Sequence, residues 1–183
     1  MKALIALTSI VGFLMLFYPA PFTSMPVSMM SKASAVPPIH DITTDVTNPP
    51  EFVAIAPLRE GAPNSIAYEG GEVTKQQLEA YPEIKTQLLP QPANEVFIAA
   101  EKAIEALGWE RVNEGALPNT LEATDTTAWF GFKDDVVIRL TAKSDDTLVD
   151  IRSKSRVGKS DLGKNAERIE TFMAELRNQL GYH

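Results

Sequence analysis

The chain has 183 residues, 44% of them hydrophobic and 22% charged, the make-up of one ordinary soluble globular domain. Its formal net charge is −7; residues 1–35 hold Lys2 and Lys32 and no acid, so the remainder carries 15 basic and 24 acidic groups, or −9. Such a balance excludes general nucleic-acid binding, which needs excess Lys and Arg, and the absence of cysteine excludes disulfides, thiol catalysis, thiolate metal sites and a lipid-modified N-terminal Cys.

Residues 1–35 have the form of an export signal. Lys2 is a minimal charged start, and Ala3 to Tyr18 is an uninterrupted, mostly apolar run. Pro19, Pro21 and Pro26 follow, then Ala33-Ser34-Ala35, an A-x-A cleavage pattern. The alternative is an uncleaved anchor, since no charge intervenes between Lys2 and Lys32. Either way the expected address is beyond the membrane, periplasmic or anchored facing the periplasm. Lack of disulfides does not contradict that address, because a periplasm permits them without requiring them.

Residues 36–92 are rich in Pro, Asn, Thr and Glu. Val36-Pro-Pro and Asn48-Pro-Pro block regular helix and central strand. Ile39, Ile42, Phe52, Val53, Ile55 and Leu58 still supply apolar anchors, so Ile39–Leu58 reads as an extended segment pinned across the domain. Gly61 to Gly71 reads as a loop, and Thr74–Tyr81 as a short helix stopped by Pro82.

From Ala93 the pattern becomes periodic. Val96, Phe97, Ala100, Ala103, Ile104 and Leu107 recur at helical spacing, with Asn94 as the cap and Gly108 just past the end. Trp109–Val112 predicts a strand, Leu117–Asn119 a turn, and Leu121–Thr124 a second strand. Trp129-Phe-Gly-Phe132 predicts an aromatic strand, its rings in the core or walling a groove, and Asp134-Asp135 a turn. Val136, Ile138, Leu140 and Ala142 alternate with Val137, Arg139, Thr141 and Lys143, and Ser144–Thr147 is a turn cluster. A hairpin there pairs Leu140 with Ile151 on the core face and sets Arg139 opposite Arg152 on the other.

The returning strand and its sequel, Asp150 to Asn165, hold Arg152, Lys154, Arg156, Lys159 and Lys164. Val149, Ile151, Ser153, Ser155 and Val157 face one way; Asp150, Arg152, Lys154 and Arg156 face the other. Gly158 and Gly163 permit the loop, and Ser160 or Asp161 can cap the last helix, Leu162 to Leu180. Gly158-Lys159-Ser160 is not a phosphate-binding P-loop, because Ser153 stands where the first glycine is required. The predicted fold is α+β: an antiparallel sheet of about four to five strands, two helices packed on one face, preceded by an extended N-terminal segment. Residues 36–92, the extended segment, and residues 93–183, the α-β-β-β-β-α core, together form one domain.

Several stretches resemble an uncharacterised family, domain of unknown function 1499. They are Asp41-Ile-Thr-Thr-Asp45, Asn48-Pro-Pro-Glu-Phe52, Tyr81-Pro82, Gly108-Trp-Glu110, Leu121-Glu-Ala123, the run Phe130 to Arg139, and Val149 to Ala166. The resemblance spans about Ile39 to Leu176. It implies no activity, cofactor or catalytic residue; it does imply export or membrane tethering, which members often show.

Glu122, Arg139, Asp150 and Arg152 share the sheet face away from the helices. With Arg156, Lys159 and Asp161 they form a candidate anion site, since guanidinium forks match carboxylate and phosphate. The competing reading is a ladder of cross-strand ion pairs on a solvated or peptide-covered face. His40, Asp41 and Asp45 lack a second nearby histidine, the other being His183; no metal or other cofactor is implied. Ser153, Ser155 and Ser160 stand in no Gly-x-Ser-x-Gly elbow. The functional expectation is an exported, non-catalytic envelope domain binding a small anion, a lipid head group or a protein partner. Membrane contact would run through the N-terminal segment if it is uncleaved. The alternatives are an envelope enzyme with Asp161 or His40 as base, and a structural assembly subunit.

Overall fold

The structure is a computed structural model that describes residues 36–112, 117–127 and 131–182. Its strands are Asp41–Thr43 (β1), Gln87–Leu89 (β2), Glu110–Val112 (β3), Thr120–Thr126 (β4), Lys133–Lys143 (β5) and Asp146–Ser155 (β6). The helices are Gly71–Ala80 (α1), Ala93–Ala106 (α2) and Lys164–Gln179 (α3), with a single 3-10 turn at Ala56–Arg59. All strand pairings are antiparallel, in the order β1-β6-β5-β4-β3, and β2 continues the outer edge of β6 beyond β1. The class is the expected α+β. The two strands beyond the expected core, β1 and β2, come from the proline-rich segment. Each is three residues long, too short to show an alternation in sequence.

β5 and β6 dominate because eleven and ten consecutive residues carry period-two patterning. Their helix-side residues Val136, Ile138, Leu140, Val149 and Ile151 are buried. Onto them pack Val96, Ala100, Ala103 and Ile104 of α2 and Ile169, Phe172, Met173 and Leu176 of α3. Phe172 stacks on Trp109 with ring centroids 5.8 Å apart. α2 begins at Ala93, after Pro92, whose carbonyl accepts from the Glu95 and Val96 N–H groups. Asn94 therefore lies inside the first turn rather than at the cap. Gly108 takes φ +71° where the helix must turn out.

Three expectations are corrected. The β5–β6 turn is the two-residue loop Ser144-Asp145, so Leu140 pairs with Val149 and Ile138 with Ile151. Moving the turn centre by one residue slides the register by two, which keeps every side chain on its face but changes its opposite number. Arg139 thus faces Asp150, and Arg152 faces Val137; like charges are not apposed. Asp134 and Asp135 form no turn: they lie in β5, buried, because arginines meet them on both sides of the sheet. Just before β5, the Gly131 N–H donates to the Thr127 carbonyl and the Thr127 N–H to the Phe132 carbonyl. Phe132 is therefore outside the strand and half exposed, not core; Trp129, Phe130 and His183 lie outside the described residues.

The second face of the sheet is covered by the segment 44–70. Phe52 and Ile55 pack on Val137, flanked by Ile66 and Val112, as a second, smaller core. The segment lies on the sheet but is not extended throughout: it coils at Ala56–Arg59, and Leu58 points outward. α1 seals the free edge of β1. The buried Gln77 amide accepts from Thr43 N–H at 3.1 Å and donates to Thr43 O at 2.6 Å, as a neighbouring strand would.

Candidate functional site

The face of β4, β5 and β6 away from α2 and α3 carries the ionic residues. Beneath a covering segment with little regular structure, backbone N–H and C=O groups need partners, and the sheet's side chains supply them. Glu122 is fully buried. Its Oε1 accepts from the N–H groups of Val53 and Ala54, and its Oε2 from Ile55, each at 2.9 Å. In the other direction, Arg152 donates to the Pro50 and Ile66 carbonyls, Lys154 to Ala67 and Arg156 to Leu58, while Arg59, within the segment itself, donates to Asn64.

The charges on this face close among themselves. Asp41 accepts Arg152 in a fork, at 2.8 Å from Nε and from Nη2, and Lys154 Nζ at 2.7 Å. The Arg152 guanidinium carbon also lies 5.1 Å from the Phe52 ring centroid and 5.3 Å from that of Tyr68, a sandwich that favours a desolvated cation. Burial pushes the Lys154 ammonium below its ordinary value, and Asp41 opposes that push. Asp135 takes Arg156 in a second fork at 2.8 Å, plus Arg59 Nη1 at 2.6 Å and the Thr124 hydroxyl. Its hydrogen bonds hold the Arg156 guanidinium above its usual range. Asp150 Oδ2 accepts Arg139 Nη2 at 2.8 Å, while the Thr44 and Thr86 hydroxyls donate to Oδ1. Asp45 takes the same Arg139 nitrogen at 3.0 Å. Arg59, Arg139, Arg152, Lys154 and Arg156 thus stand against Asp41, Asp45, Glu122, Asp135 and Asp150, five against five.

The seven residues singled out from sequence are therefore only partly brought together. Arg139 and Asp150 touch. Arg152, Arg156 and Glu122 share their face but are bound to Asp41, Asp135 and backbone N–H groups, respectively. Lys159 is exposed in the loop. Asp161 is remote from these arginines in role: it accepts from the Gly163 and Asn165 N–H groups at 2.8 Å each, ahead of α3 on the helix side. Burial pushes its carboxyl up, and those N–H groups draw it partly back. His40 Nε2 lies 3.4 Å from Glu69 without hydrogen-bond alignment. Among the described residues, no group of three or more His, Asp and Glu is disposed to hold a metal ion.

Of these five cations, Arg139 is the most exposed. Arg139 uses only Nη2 for its two carboxylates; its Nε and Nη1 have no partner among the described residues, and its side chain keeps 25% of its exposure. It opens into a cleft of about 210 Å³ lined also by Asn48, Pro49, Pro50, Glu51, Leu117 and Thr120. Sequence reasoning found Arg139 but missed the cleft, which is built by the Asn48-Pro-Pro-Glu51 stretch arriving from elsewhere in the chain. It also missed Asp41, Asp135, Arg59 and Lys154 as partners. Strand alternation had put Lys154 on this face; Asp135 was hidden by the turn-like Asp-Asp pair.

Residues 41–176 match the family described as a protein of unknown function, DUF1499. The chain belongs to that family. No curated protein matches it. Among solved structures, TTHA0849 from Thermus thermophilus is similar at 9% identity and a TM-score of 0.33, over 52% of this chain and 93% of that one. CalU16 from Micromonospora echinospora is similar at 12% identity and a TM-score of 0.31, over 53% of this chain and 84% of that one.

Proposed function

We propose that this DUF1499 domain is an exported, non-catalytic binding domain of the cell envelope, whose ligand engages Arg139. The observation that carries the reading is the half-committed guanidinium at the cleft. The other sheet-face cations are spent on internal carboxylates and carbonyls, whereas Arg139 Nε and Nη1 point no hydrogen bond at the described protein. A guanidinium so placed is a ready donor for a carboxylate or phosphate. The cleft, at about 210 Å³, is below the ~300–1,000 Å³ typical of sites that enclose a whole small molecule. It suits one head group or one terminal moiety of something larger. An enzyme using Asp161 or His40 as base would need that group beside the arginine; Asp161 instead serves α3 and His40 sits against Glu69. Export rests on Lys2 and the apolar run from Ala3 to Tyr18.

Native mass spectrometry of the protein purified from its own envelope tests the binding. The wild type should retain a small polar ligand that Arg139→Lys, folded to the same circular-dichroism spectrum, loses. A ligand retained equally by both would overturn the role of Arg139. N-terminal sequencing of fractionated material tests the address: a start at Val36, or Met1 in the membrane fraction, supports it, and a soluble cytoplasmic pool refutes it.

A further inference from the structure

We infer that the ligand of the Arg139 cleft is a zwitterion, a phosphate joined by a short spacer to a primary ammonium. This rests on the binding role just proposed and narrows its chemistry. The sequence alone suggests a simple anion at clustered arginines. The cleft has a different charge balance. One guanidinium is set against Asp45 and Asp150, both bonded to its Nη2, and against Glu51 in the cleft wall. One positive and three negative formal charges leave −2, within a chain of −7. A bare anion would gain two N–H donors but meet the Glu51 carboxylate in the cleft wall, at a guanidinium whose charge Asp45 and Asp150 already offset. That field opposes it even though the guanidinium attracts it.

A ligand carrying both signs resolves the conflict. Its anionic end takes Arg139 Nε and Nη1, the donors left over from Asp45 and Asp150. Its cationic end faces Glu51, an exposed carboxylate of the cleft wall with no partner among the described residues. Pro49, Pro50 and Leu117 offer apolar wall to the carbon spacer. The lining also selects the type of ammonium. A quaternary ammonium is recognised by aromatic faces, and no aromatic residue among the described ones lines this cleft. The Glu51 carboxylate and the Asn48 amide oxygen instead suit N–H donors, hence a primary amine. The ethanolamine phosphate unit has this chemistry, whether as a lipid head group or as a free metabolite.

The probes are phosphoethanolamine, phosphocholine, inorganic phosphate and ethanolamine, added to full-length wild type, Arg139→Lys and Glu51→Gln, with melting temperature and calorimetric affinity as readouts. Phosphoethanolamine should raise the wild-type melting temperature saturably. Phosphate, ethanolamine and phosphocholine should each bind at least about tenfold more weakly, the factor that ~1.4 kcal/mol of lost contact gives. Glu51→Gln should lose about tenfold for phosphoethanolamine by the same conversion and should bind phosphate no worse than wild type. Co-sedimentation with vesicles containing phosphatidylethanolamine, and not with pure phosphatidylcholine vesicles, identifies a lipid source; a response to the soluble compound alone identifies a free one. Phosphate binding as tightly as phosphoethanolamine, with loss in Arg139→Lys, overturns the zwitterion and leaves the Arg139 role standing. Indifference of the wild type to all four probes overturns the zwitterion, and if the envelope-purified protein also shows no Arg139-dependent ligand, the binding role falls with it.

Discussion

Asp41 shows how a buried charge is decided by its surroundings. It holds Arg152 and Lys154 together in a site almost without solvent. Removing the acid leaves two cations unpaired, so Asp41→Asn should cost about 3–5 kcal/mol, the range for breaking a buried pair from one side. Lys154→Met removes the group whose charged form burial already disfavours and leaves the Arg152 fork intact. It should cost clearly less than Asp41→Asn, because Asp41 then still faces one cation instead of two cations facing none. Denaturant titration of both variants checks the contrast, and equal losses would contradict it. Asp161 predicts a pH dependence of the opposite sign to that of a salt-bridged acid. Burial raises its folded pKa above the unfolded value near 3.8, so the folded state holds the proton longer. The wild type should then lose stability relative to Asp161→Asn as pH rises through that interval and level off above it. A wild type that instead gains on the variant as pH rises would show that its helix N–H groups outweigh burial. At this scale the sequence was legible for which residues face which way. It was not legible for which acid meets which arginine, since Asp41 and Arg59 reach β5 and β6 from far along the chain.

Among the elements, α3 was readable from its stripe because Ala166, Ile169, Phe172, Met173 and Leu176 recur at helical spacing on a buried face. Phe172 is fully buried against Trp109, and Phe172→Ala should cost about 3–5 kcal/mol in thermal or denaturant unfolding, the usual range for emptying such a site; an unchanged stability would remove the helix-on-sheet packing. The covering segment 44–70 was legible only as apolar anchors between prolines. Beside the packing of Phe52 and Ile55 on Val137, its attachment comes from polar groups: three amides on Glu122 and four carbonyls on Arg152, Lys154 and Arg156. Glu122→Gln loses a charge-assisted acceptor and turns an NH₂ toward amides that are themselves donors. It should cost at least about 1.5–3 kcal/mol, the range for hydrogen bonds to charged groups, and the loss should be seen first in the segment rather than in the sheet. The hairpin register was misread because Ser144-Asp-Asp-Thr147 offers two turn centres; Ser144 taking φ +56° selects the earlier one.

For the whole molecule, the class was legible because two periodic helices and four periodic strands suffice for α+β packing. The sheet's completion was not, because β1 and β2 are held by pairing with β6 and, for β1, by Gln77, not by any local preference. The molecule is thus a sheet with an oily core on one face and an ionic, peptide-covered layer on the other, open at Arg139. That layer explains why so many charges are buried in a domain of this size: they satisfy a backbone that has no ladder of its own. Amide hydrogen exchange tests this account most directly. If Glu122 holds the segment as described, the N–H groups of Val53, Ala54 and Ile55 exchange in the slow class of β5 and β6 in the wild type, and become fast in Glu122→Gln while the β5–β6 ladder stays protected. Fast exchange of those three amides in the wild type, beside a protected sheet, would contradict it.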